Sequence, residues 1–334
     1  MSKVFITGIA GFLGSHLADR LISLGYDVSG CDTLLGGYAD NVPAKAMFFQ
    51  TDCCDLDGMT DIMSGSDIVF HAACTAYEGL SVFSPSLITL NTVQASVSTM
   101  TAAIRNNVKR FIYCSSMARY GSHKTQDFTE DLICNPIDPY GISKYSTEMI
   151  LKNLAYIHDV ELVIAVPHNI IGVRQKYNDP YRNVVSIMIN LMLQSRGPII
   201  YGDGLQVRCF SSINDDVNCL AQMIADPKLN GLIINIGPDE NPITILDLYK
   251  LIATKIDAPP PTFYPDRPQE VKHATCSANL ARKMLGYKTQ HNLSDTLDEM
   301  IDWIKIRGVL PFEYHLPVEI NSKLTPKTWS KRLF

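Results

Sequence analysis

The sequence predicts an α/β protein in which a doubly wound parallel sheet carries a second, smaller α/β lobe. Short apolar strand patterns alternate with longer helical patterns through the first half of the chain, and this alternation implies parallel strands with helices on both faces. A glycine-rich turn joins the first strand to the first helix, as a sharp connection requires. After Pro167 the segments become shorter and mixed in character, which indicates a separate lobe.

The predicted elements follow one another in a regular order. Six strands precede Pro167, and we expect their carboxyl ends to meet at one edge of the sheet, where α/β proteins bind their ligands. These strands are predicted at 4–7, 26–31, 46–50, 67–72, 110–115 and 161–166. Helices are predicted at about 17–24, 86–106 and 140–158, and in the second half at about 244–255, 278–285 and 294–307.

The composition is that of an ordinary water-soluble globular protein. Of the 334 residues, 46% are hydrophobic and 19% are charged, and the formal net charge of −5 offers no basic surface for a nucleic acid. No apolar run is long enough to span a membrane, and a strand that begins at residue 4 leaves no room for a signal peptide. The nine cysteines lack metal-ligand spacing, so we expect reduced thiols, no metal site and a cytoplasmic location.

The turn after the first strand contains Gly8, Gly11 and Gly14. Between a strand and a helix, these glycines allow a sharp turn, a close approach of phosphates to the backbone, and tight packing of the helix on the sheet. The N–H groups at the helix N-terminus can then bind a pyrophosphate. Asp32 ends the second strand about 20 residues further on, where a carboxylate binds an adenosine ribose and repels a 2′-phosphate. The motif predicts an NAD site, and the alternative is a glycine-rich turn in some other α/β protein.

The predicted elements divide the chain into three parts. Residues 1–168 form the predicted NAD-binding domain, which the chain is expected to re-enter at about 213–236. Residues 169–310 form the predicted substrate-binding lobe, which covers the mouth of this domain. Residues 311–334 lack clear periodicity and are rich in lysine and proline, so we expect an extended or disordered C-terminal tail.

A candidate catalytic set surrounds the end of the fifth strand. Tyr140 and Lys144 are four residues apart at the start of a predicted helix, so their side chains share one face. A nearby ammonium stabilises a phenolate and lowers the pKa of the tyrosine towards the range of a general base. Ser116 follows the fifth strand, where its hydroxyl is placed to contact the same substrate oxygen. A tyrosine and a lysine at this spacing are ordinary by themselves, but beside such a serine in an NAD-binding sheet they predict catalysis.

Together these residues resemble the extended short-chain dehydrogenase/reductases, and among them the nucleotide-sugar epimerases and dehydratases similar to UDP-glucose 4-epimerase. The resemblance extends over about residues 3–310 and implies a Rossmann fold for the sheet. It rests on motifs that occur here in the family's order: Gly8/Gly11/Gly14, Asp32, Asp52, His71-Ala72-Ala73, Asn91, Ser115-Ser116, Tyr140/Lys144, Asn169, Gly202-Asp203-Gly204, Arg208 and Arg267.

The resemblance implies that NAD lies along the edge of the sheet. Asp32 would bind the adenosine ribose, Asp52 and the backbone of Cys53 the adenine, and Lys144 the nicotinamide ribose. The full set implied for NAD is Gly8, Gly11, Phe12, Leu13, Gly14, Asp32, Asp52, Cys53, Ala72, Ala73, Asn91, Tyr140, Lys144 and Pro167.

The resemblance also implies residues that bind a nucleoside-diphosphate sugar. Arg208 and Arg267 would clamp the diphosphate, because paired cations suit a doubly anionic group. Tyr201 would pack against the base, with simple core packing as the alternative. Glu78 would contact a sugar hydroxyl or an amine, or else be solvated. The full set implied for the substrate is Thr75, Glu78, Ser116, Asn169, Asn183, Val184, Tyr201, Arg208 and Arg267.

Departures from the family pattern narrow the reaction. The 4,6-dehydratases carry Asp-Glu directly after the position of Ser116, whereas this chain has Met117 and Ala118, which transfer no proton. The glutamate of the decarboxylases and the cysteine of the GDP-mannose 3,5-epimerase are also missing at Ala118. Arg119 replaces an apolar residue, and we expect it either to bring a positive charge near the sugar or to pack outward.

The sequence therefore predicts an NAD-dependent enzyme that inverts C4 of a nucleoside-diphosphate sugar through a transient 4-keto intermediate. One alternative is another nucleotide-sugar oxidoreductase, a dehydratase or a 3,5-epimerase on the same scaffold. A second alternative is a non-catalytic NAD-binding regulator. The resemblance also implies a homodimer, in which the helices at 86–106 and 140–158 form a four-helix bundle.

Overall fold

The computed structural model describes residues 2–123, 127–268 and 271–334. Within them the strands are β1 Lys3–Thr7, β2 Asp27–Cys31, β3 Met47–Phe49, β4 Ile68–His71, β5 Arg110–Cys114, β6 Asp127–Phe128, β7 Glu161–Pro167, β8 Ile170–Ile171, β9 Ile199–Tyr201, β10 Val207–Arg208, β11 Ser211–Ser212, β12 Ile233–Ile236, β13 Ile243–Thr244, β14 Thr262–Tyr264 and β15 His273–Cys276. The α-helices of the same residues are α1 Phe12–Ser23, α2 Leu56–Ile62, α3 Glu78–Ser81, α4 Pro85–Thr89, α5 Ala95–Arg105, α6 Pro139–His158, α7 Val184–Leu193, α8 Ile213–Ala225, α9 Ile245–Ala253, α10 Asn279–Leu285, α11 Leu293–Arg307 and α12 Lys327–Ser330.

Seven strands form one sheet in the order β12-β7-β5-β4-β1-β2-β3, and all neighbours in it are parallel. Val4 of β1 lies opposite both Val28 of β2 and Ile68 of β4. The six strands predicted from the sequence all belong to this sheet, with ends that differ by at most one residue. The predicted doubly wound α/β fold is therefore confirmed.

Helices cover both faces of the sheet because its central strands are apolar on both sides. Every residue of β5 is buried. On one face α1, α8 and α10 pack against the strands through residues such as Leu17, Leu220 and Ala281. The direction of strand order reverses between β1 and β4, so the chain leaves a crevice at the carboxyl ends of these strands.

A second lobe has small sheets and a core of its own. Its largest sheet has the order β13-β10-β15-β6, while β11 pairs with β8 and β14 with β9. Helices α7, α9 and α11 surround a core that includes Val185, Leu248 and Met300. The domain limits at 168/169 and 310/311 stay a prediction. In the described ranges we find no helix that combines the length and the apolar character needed to cross a membrane.

The helix predicted at 86–106 is interrupted in the structure. Helices α4 and α5 are separated by a π-helical segment, Leu90–Gln94. A π-helical turn holds an extra residue, and such turns are frequent at functional sites. Asn91 lies in this segment. The sequence predicts a helical pattern over 86–106 and does not predict the π-helical turn within it.

The tail at 311–334 packs against the rest of the chain. Trp329 is only 6% exposed, and its indole Nε1 donates a hydrogen bond to the carbonyl oxygen of Pro180 at 3.0 Å. The carboxylate of Glu319 accepts hydrogen bonds from the N–H groups of Ser86 and Leu87, each at 2.9 Å, where α4 begins. Of the two expectations, an extended or a disordered tail, these contacts contradict the disordered one. Separate side chains anchor the tail, so no periodic pattern marks it in the sequence.

Arg119 is buried in an ion pair and does not pack outward. Its side chain is 3% exposed, Nε lies 2.8 Å from Oε1 of Glu148, and Nη2 donates to Oε2 at 2.9 Å. Glu148 is fully buried and also accepts a hydrogen bond from Ser115 Oγ at 2.5 Å. Outward packing is therefore wrong, because the arginine joins the turn after β5 to α6, and a positive charge near the sugar stays a prediction.

Replacing Glu148 by glutamine is expected to destabilise the protein strongly. The variant leaves the Arg119 cation buried without its carboxylate, and breaking a buried ion pair in this way costs about 3–5 kcal/mol. The control is Asp57→Asn, which breaks the exposed pair between Asp57 and Arg105 and should cost less than about 1 kcal/mol. Urea unfolding followed by circular dichroism measures both free energies of unfolding. Small, equal losses would show that the buried pair does not stabilise the fold.

Candidate active site

A cleft of about 780 Å³ opens at the carboxyl ends of the main-sheet strands, with the second lobe as its opposite wall. Every residue predicted to bind cofactor or substrate lines this cleft. They are Gly8, Gly11, Phe12, Leu13, Gly14, Asp32, Asp52, Cys53, Ala72, Ala73, Thr75, Glu78, Asn91, Ser116, Tyr140, Lys144, Pro167, Asn169, Asn183, Val184, Tyr201, Arg208 and Arg267. The structure thus brings the predicted residues together, and the role of each one stays a prediction.

The glycine-rich turn places the N-terminus of α1 at the cleft. Gly8 has a φ of +72°, a left-handed conformation that favours glycine. Its N–H donates a hydrogen bond to Cys31 O at 2.7 Å and so anchors the turn to β2. A Cβ on Gly14 would overlap the carbonyl oxygen of Gly8, so only glycine lets α1 begin this close to β1. The first N–H groups of α1 can therefore receive an anionic group in the cleft.

Asp32 has a structural task in addition to its place at the cleft. Its carboxylate accepts hydrogen bonds from the N–H groups of Ala10 at 3.1 Å and Leu34 at 2.7 Å. Burial raises the pKa of Asp32, and hydrogen bonds from backbone N–H groups act in the opposite direction. The side chain therefore ties the glycine-rich turn to the end of β2, which the sequence did not predict.

Buried hydrogen bonds fix the loop that carries Ala72 and Ala73. Thr7 Oγ1 lies 2.7 Å from Nδ1 of His71 and accepts a hydrogen bond from the N–H of Ala73 at 3.1 Å. The other ring nitrogen of His71 lies 2.8 Å from Ser96 Oγ. Burial lowers the pKa of His71 to about 3, so the ring is neutral at neutral pH. The histidine holds the loop in place, and the small alanines leave room in front of it.

Tyr140 and Lys144 lie on one face of α6 beside the end of β5. Lys144 is 1% exposed, and its Nζ donates a hydrogen bond to the carbonyl oxygen of Cys114 at 2.7 Å. The same Nζ lies 4.9 Å from the centre of the Tyr113 ring and 5.9 Å from that of Tyr140. The ammonium is therefore fixed below the phenol by one carbonyl group and two aromatic rings.

Opposing effects set the proton affinity of Tyr140. Burial has the largest effect and raises the pKa of the phenol above its ordinary value, and Cys74 acts in the same direction. The cations of Lys144 and Arg182 and a hydrogen bond with Ser116 lower the pKa. The lysine thus acts in the predicted direction, but burial outweighs it. The spacing in the sequence identifies the lysine and contains no information on the depth of burial.

The second lobe contributes polar and cationic groups to the opposite wall. Asn169 and Asn183 have φ angles of +46° and +44°, which are strained for residues other than glycine. The guanidinium of Arg267 lies 5.2 Å from the centre of the Tyr201 ring, and Arg208 lines the same wall. Two cations and an aromatic face suit an anionic diphosphate joined to a planar base.

Comparison with known proteins bears on this arrangement. A model of the NAD dependent epimerase/dehydratase family matches residues 4–237. The chain belongs to this family. Because the match covers the main sheet and much of the cleft, the family is assigned from the part of the chain that contains the glycine-rich turn, Tyr140 and Lys144.

The chain is similar to three family members over nearly their whole length. The UDP-glucose 4-epimerase of Mycolicibacterium smegmatis is 28% identical over 314 residues, which are 91% of this chain and 98% of the relative. The UDP-glucose 4-epimerase of Thermotoga maritima, solved with UDP-glucose, has a TM-score of 0.84 at 30% identity and covers 91% of this chain and 99% of its own. That of Thermus thermophilus, solved with NAD, has a TM-score of 0.83 at 25% identity and covers 91% and 99%. Other relatives are named as a decarboxylase and a 3,5-epimerase, at 28% and 27% identity.

NAD is the cofactor of this family member. The residues present fit it, since a turn that only glycine can form opens the N-terminus of α1 to a pyrophosphate, and a carboxylate, Asp32, stands at the end of β2. The residues expected to hold it are those that follow β1, β2, β3 and β4, together with Asn91, Tyr140, Lys144 and Pro167.

Several residues that line the cleft were not predicted from the sequence. Arg182 and Cys74 are neighbours in sequence of predicted residues, which was a signal that sequence reasoning overlooked. Thr328, Trp329 and Phe334 reach the cleft from the tail, and a lone tryptophan in a lysine-rich segment was the one sign of an anchored tail. The tail is thus a wall of the cleft as well as a surface segment.

Replacing Gly14 by alanine is expected to abolish or strongly weaken NAD binding. The added Cβ pushes α1 away from the glycine-rich turn, because it meets the Gly8 carbonyl oxygen and not a flexible side chain. Gly36→Ala is the control, since Gly36 also lines the cleft but a Cβ there meets only Tyr77 Oη at 3.9 Å. Calorimetric titration with NAD compares the variants. Equal affinity of G14A and G36A for NAD would contradict the close approach of α1 to β1.

Proposed function

We propose that this family member inverts C4 of a nucleoside-diphosphate sugar through a transient 4-keto intermediate. The observation that carries the proposal is the convergence of Tyr140, Lys144 and Ser116 in the cleft, with Met117 and Ala118 where dehydratases carry an acid and a base. Tyr140, Lys144 and Ser116 support proton transfer at a carbinol. Met117 and Ala118 provide no acid and base for the removal of water. The 4-epimerases among the relatives support the same reaction.

In this proposal each residue of the set has one task. The phenolate of Tyr140 takes the proton of the C4 hydroxyl, and Ser116 holds the same oxygen. Lys144 favours the phenolate because its ammonium is positively charged. The Cys114 carbonyl oxygen holds this ammonium in place. Bound NAD would supply the redox chemistry, as the acceptor and later the donor of the C4 hydride. The second lobe holds the nucleotide, so the keto sugar can turn its other face while it stays bound.

A homodimer is part of the proposal. Helices α4 and α5 pack beside α6, and the group exposes apolar side chains that no described residue covers. These side chains, each at least half exposed, are Leu90, Ile142, Met149, Tyr156 and Ile157. The same face of a second copy would cover them and complete a four-helix bundle.

A cytoplasmic location is also part of the proposal. All nine cysteines are free thiols, and the Sγ atoms of Cys31 and Cys53 lie 3.9 Å apart without a bond between them. Reduced neighbouring thiols are typical of a reducing compartment.

The test of the reaction is a panel of nucleotide sugars in deuterated water, followed by NMR. Inversion at C4 with internal return of the hydrogen incorporates no deuterium into the product. Epimerisation at C3 or C5 and dehydration incorporate solvent deuterium and would contradict the proposal. Tight binding of NAD without turnover of any sugar in the panel would favour the non-catalytic regulator.

Replacing Tyr140 by phenylalanine is expected to lower turnover by at least about a hundredfold, since the general base of the reaction is lost. NAD affinity should stay within a few fold, because the ring and its packing remain. Turnover of the best nucleotide sugar and calorimetric titration with NAD measure the two effects. Wild-type turnover in Y140F would show that the phenol is not the base.

Replacing Arg182 by glutamine is expected to move the pH dependence of turnover to higher pH. The base must be unprotonated, so the rate rises as the pH passes through the pKa of Tyr140. Arg182 lowers this pKa together with Lys144 and Ser116, while burial and Cys74 raise it. Removing one cation therefore raises the pKa, and Arg182→Lys should keep the original profile. A uniform loss of kcat/KM at every pH in R182Q would instead indicate that Arg182 only binds substrate.

A further inference from the structure

The end of the tail contacts both halves of the molecule. The ring of Trp329 lies 5.7 Å from that of Tyr181 in the second lobe and 5.9 Å from that of Phe83 beside the main sheet. Its Nε1 donates to Pro180 O. A Cβ on Gly79 would meet Trp329 at 3.7 Å and Arg267 at 3.4 Å, so the tail, the second lobe and α3 come together at this point.

Thr328 connects the tail to the cleft. It is fully buried, and its Oγ1 lies 2.5 Å from the phenol oxygen of Tyr201. Its carbonyl oxygen accepts a hydrogen bond from Tyr314 Oη at 2.8 Å, which fixes the backbone from the other side. The ring of Tyr201 in turn lies below the Arg267 guanidinium. A buried tail residue therefore contacts an aromatic ring of the cleft, and this ring contacts a cation of the cleft.

We propose that Thr328 is a positioning residue for the nucleotide half of the substrate: its hydroxyl orients Tyr201, and with it Arg267, towards the base and the diphosphate. This inference rests on the proposed function, which places a nucleoside-diphosphate sugar against these two side chains. A ring that is oriented before binding loses less rotamer freedom when the ligand arrives, so the hydroxyl contributes to affinity. It contributes nothing to the chemistry at C4, which takes place beside Tyr140.

The test uses the NAD-loaded protein and calorimetric titration with UDP, GDP, dTDP and ADP, followed by steady-state kinetics with the matching sugar. Thr328→Val keeps the shape and removes the hydroxyl, and it should weaken the best nucleotide about 3- to 10-fold, the usual effect of one hydrogen bond. KM should rise by a similar factor with kcat unchanged. Thr328→Ser should restore the affinity. Tyr201→Phe should show the same loss, and the double variant should add little to it.

The matched control is Thr325→Val. Thr325 lies in the same tail and is also buried, but its hydroxyl donates to Ile320 O at 3.3 Å and does not line the cleft. Nucleotide affinity in T325V should equal that of the wild type. Equal losses in T325V and T328V would overturn the inference, because the tail would then act only through stability. Wild-type affinity in T328V would also overturn it while leaving the proposed function intact. A wild type that binds none of the four nucleotides would overturn the inference and the proposed function together.

Discussion

The contact between one stripe of α6 and the carboxyl end of β5 is the constraint on which the rest of the site depends. Tyr140, Lys144 and Glu148 follow one another at intervals of four residues, so all three side chains point to the same strand end. Burying an ammonium costs several kcal/mol unless it is paired with polar groups. The Cys114 carbonyl oxygen and two aromatic rings supply that pairing for Lys144. A helix shifted by one residue would lose this contact and place a different side chain over the cleft.

One turn further along α6, Glu148 fixes the segment that follows β5. Its carboxylate binds both Ser115 and Arg119, so the turn that carries Ser116 is held from behind by a buried ion pair. The site thus separates two tasks. The ammonium of Lys144 lowers the pKa of Tyr140. The ion pair between Arg119 and Glu148 holds the turn that carries Ser116. Burial of the phenol opposes the first task, and a second cation, Arg182, also lowers the pKa of Tyr140.

The sequence predicts the fold and the cofactor, NAD, correctly, because both depend on local patterns. Strand ends, a glycine-only turn and a spacing of four residues are all read within a short stretch of chain. The parts that the sequence misses depend on distant partners. Arg119 pairs with a carboxylate 29 residues away, and the two side chains meet only once α6 has packed on the sheet. The π-helical turn Leu90–Gln94 lies inside the helical pattern at 86–106, and the sequence did not predict it. The tail is anchored by single side chains such as Trp329, which no periodicity reveals.

The tail is one of the segments that join the two halves of the molecule around the cleft. Glu319 accepts hydrogen bonds at the start of α4, and α4 leads directly into the π-helical segment that brings Asn91 to the cleft. A few residues later, Thr328 and Trp329 contact Tyr201 and Pro180 on the opposite wall of the cleft. A fourth apolar cluster joins the two halves directly, since it contains Tyr140 together with Tyr181 and Trp329. The tail therefore acts beside direct contacts between the halves, such as the hydrogen bond that Tyr77 Oη donates to Asp179 Oδ2 at 2.6 Å, and a change in its packing would alter the fit of a ligand that spans both walls.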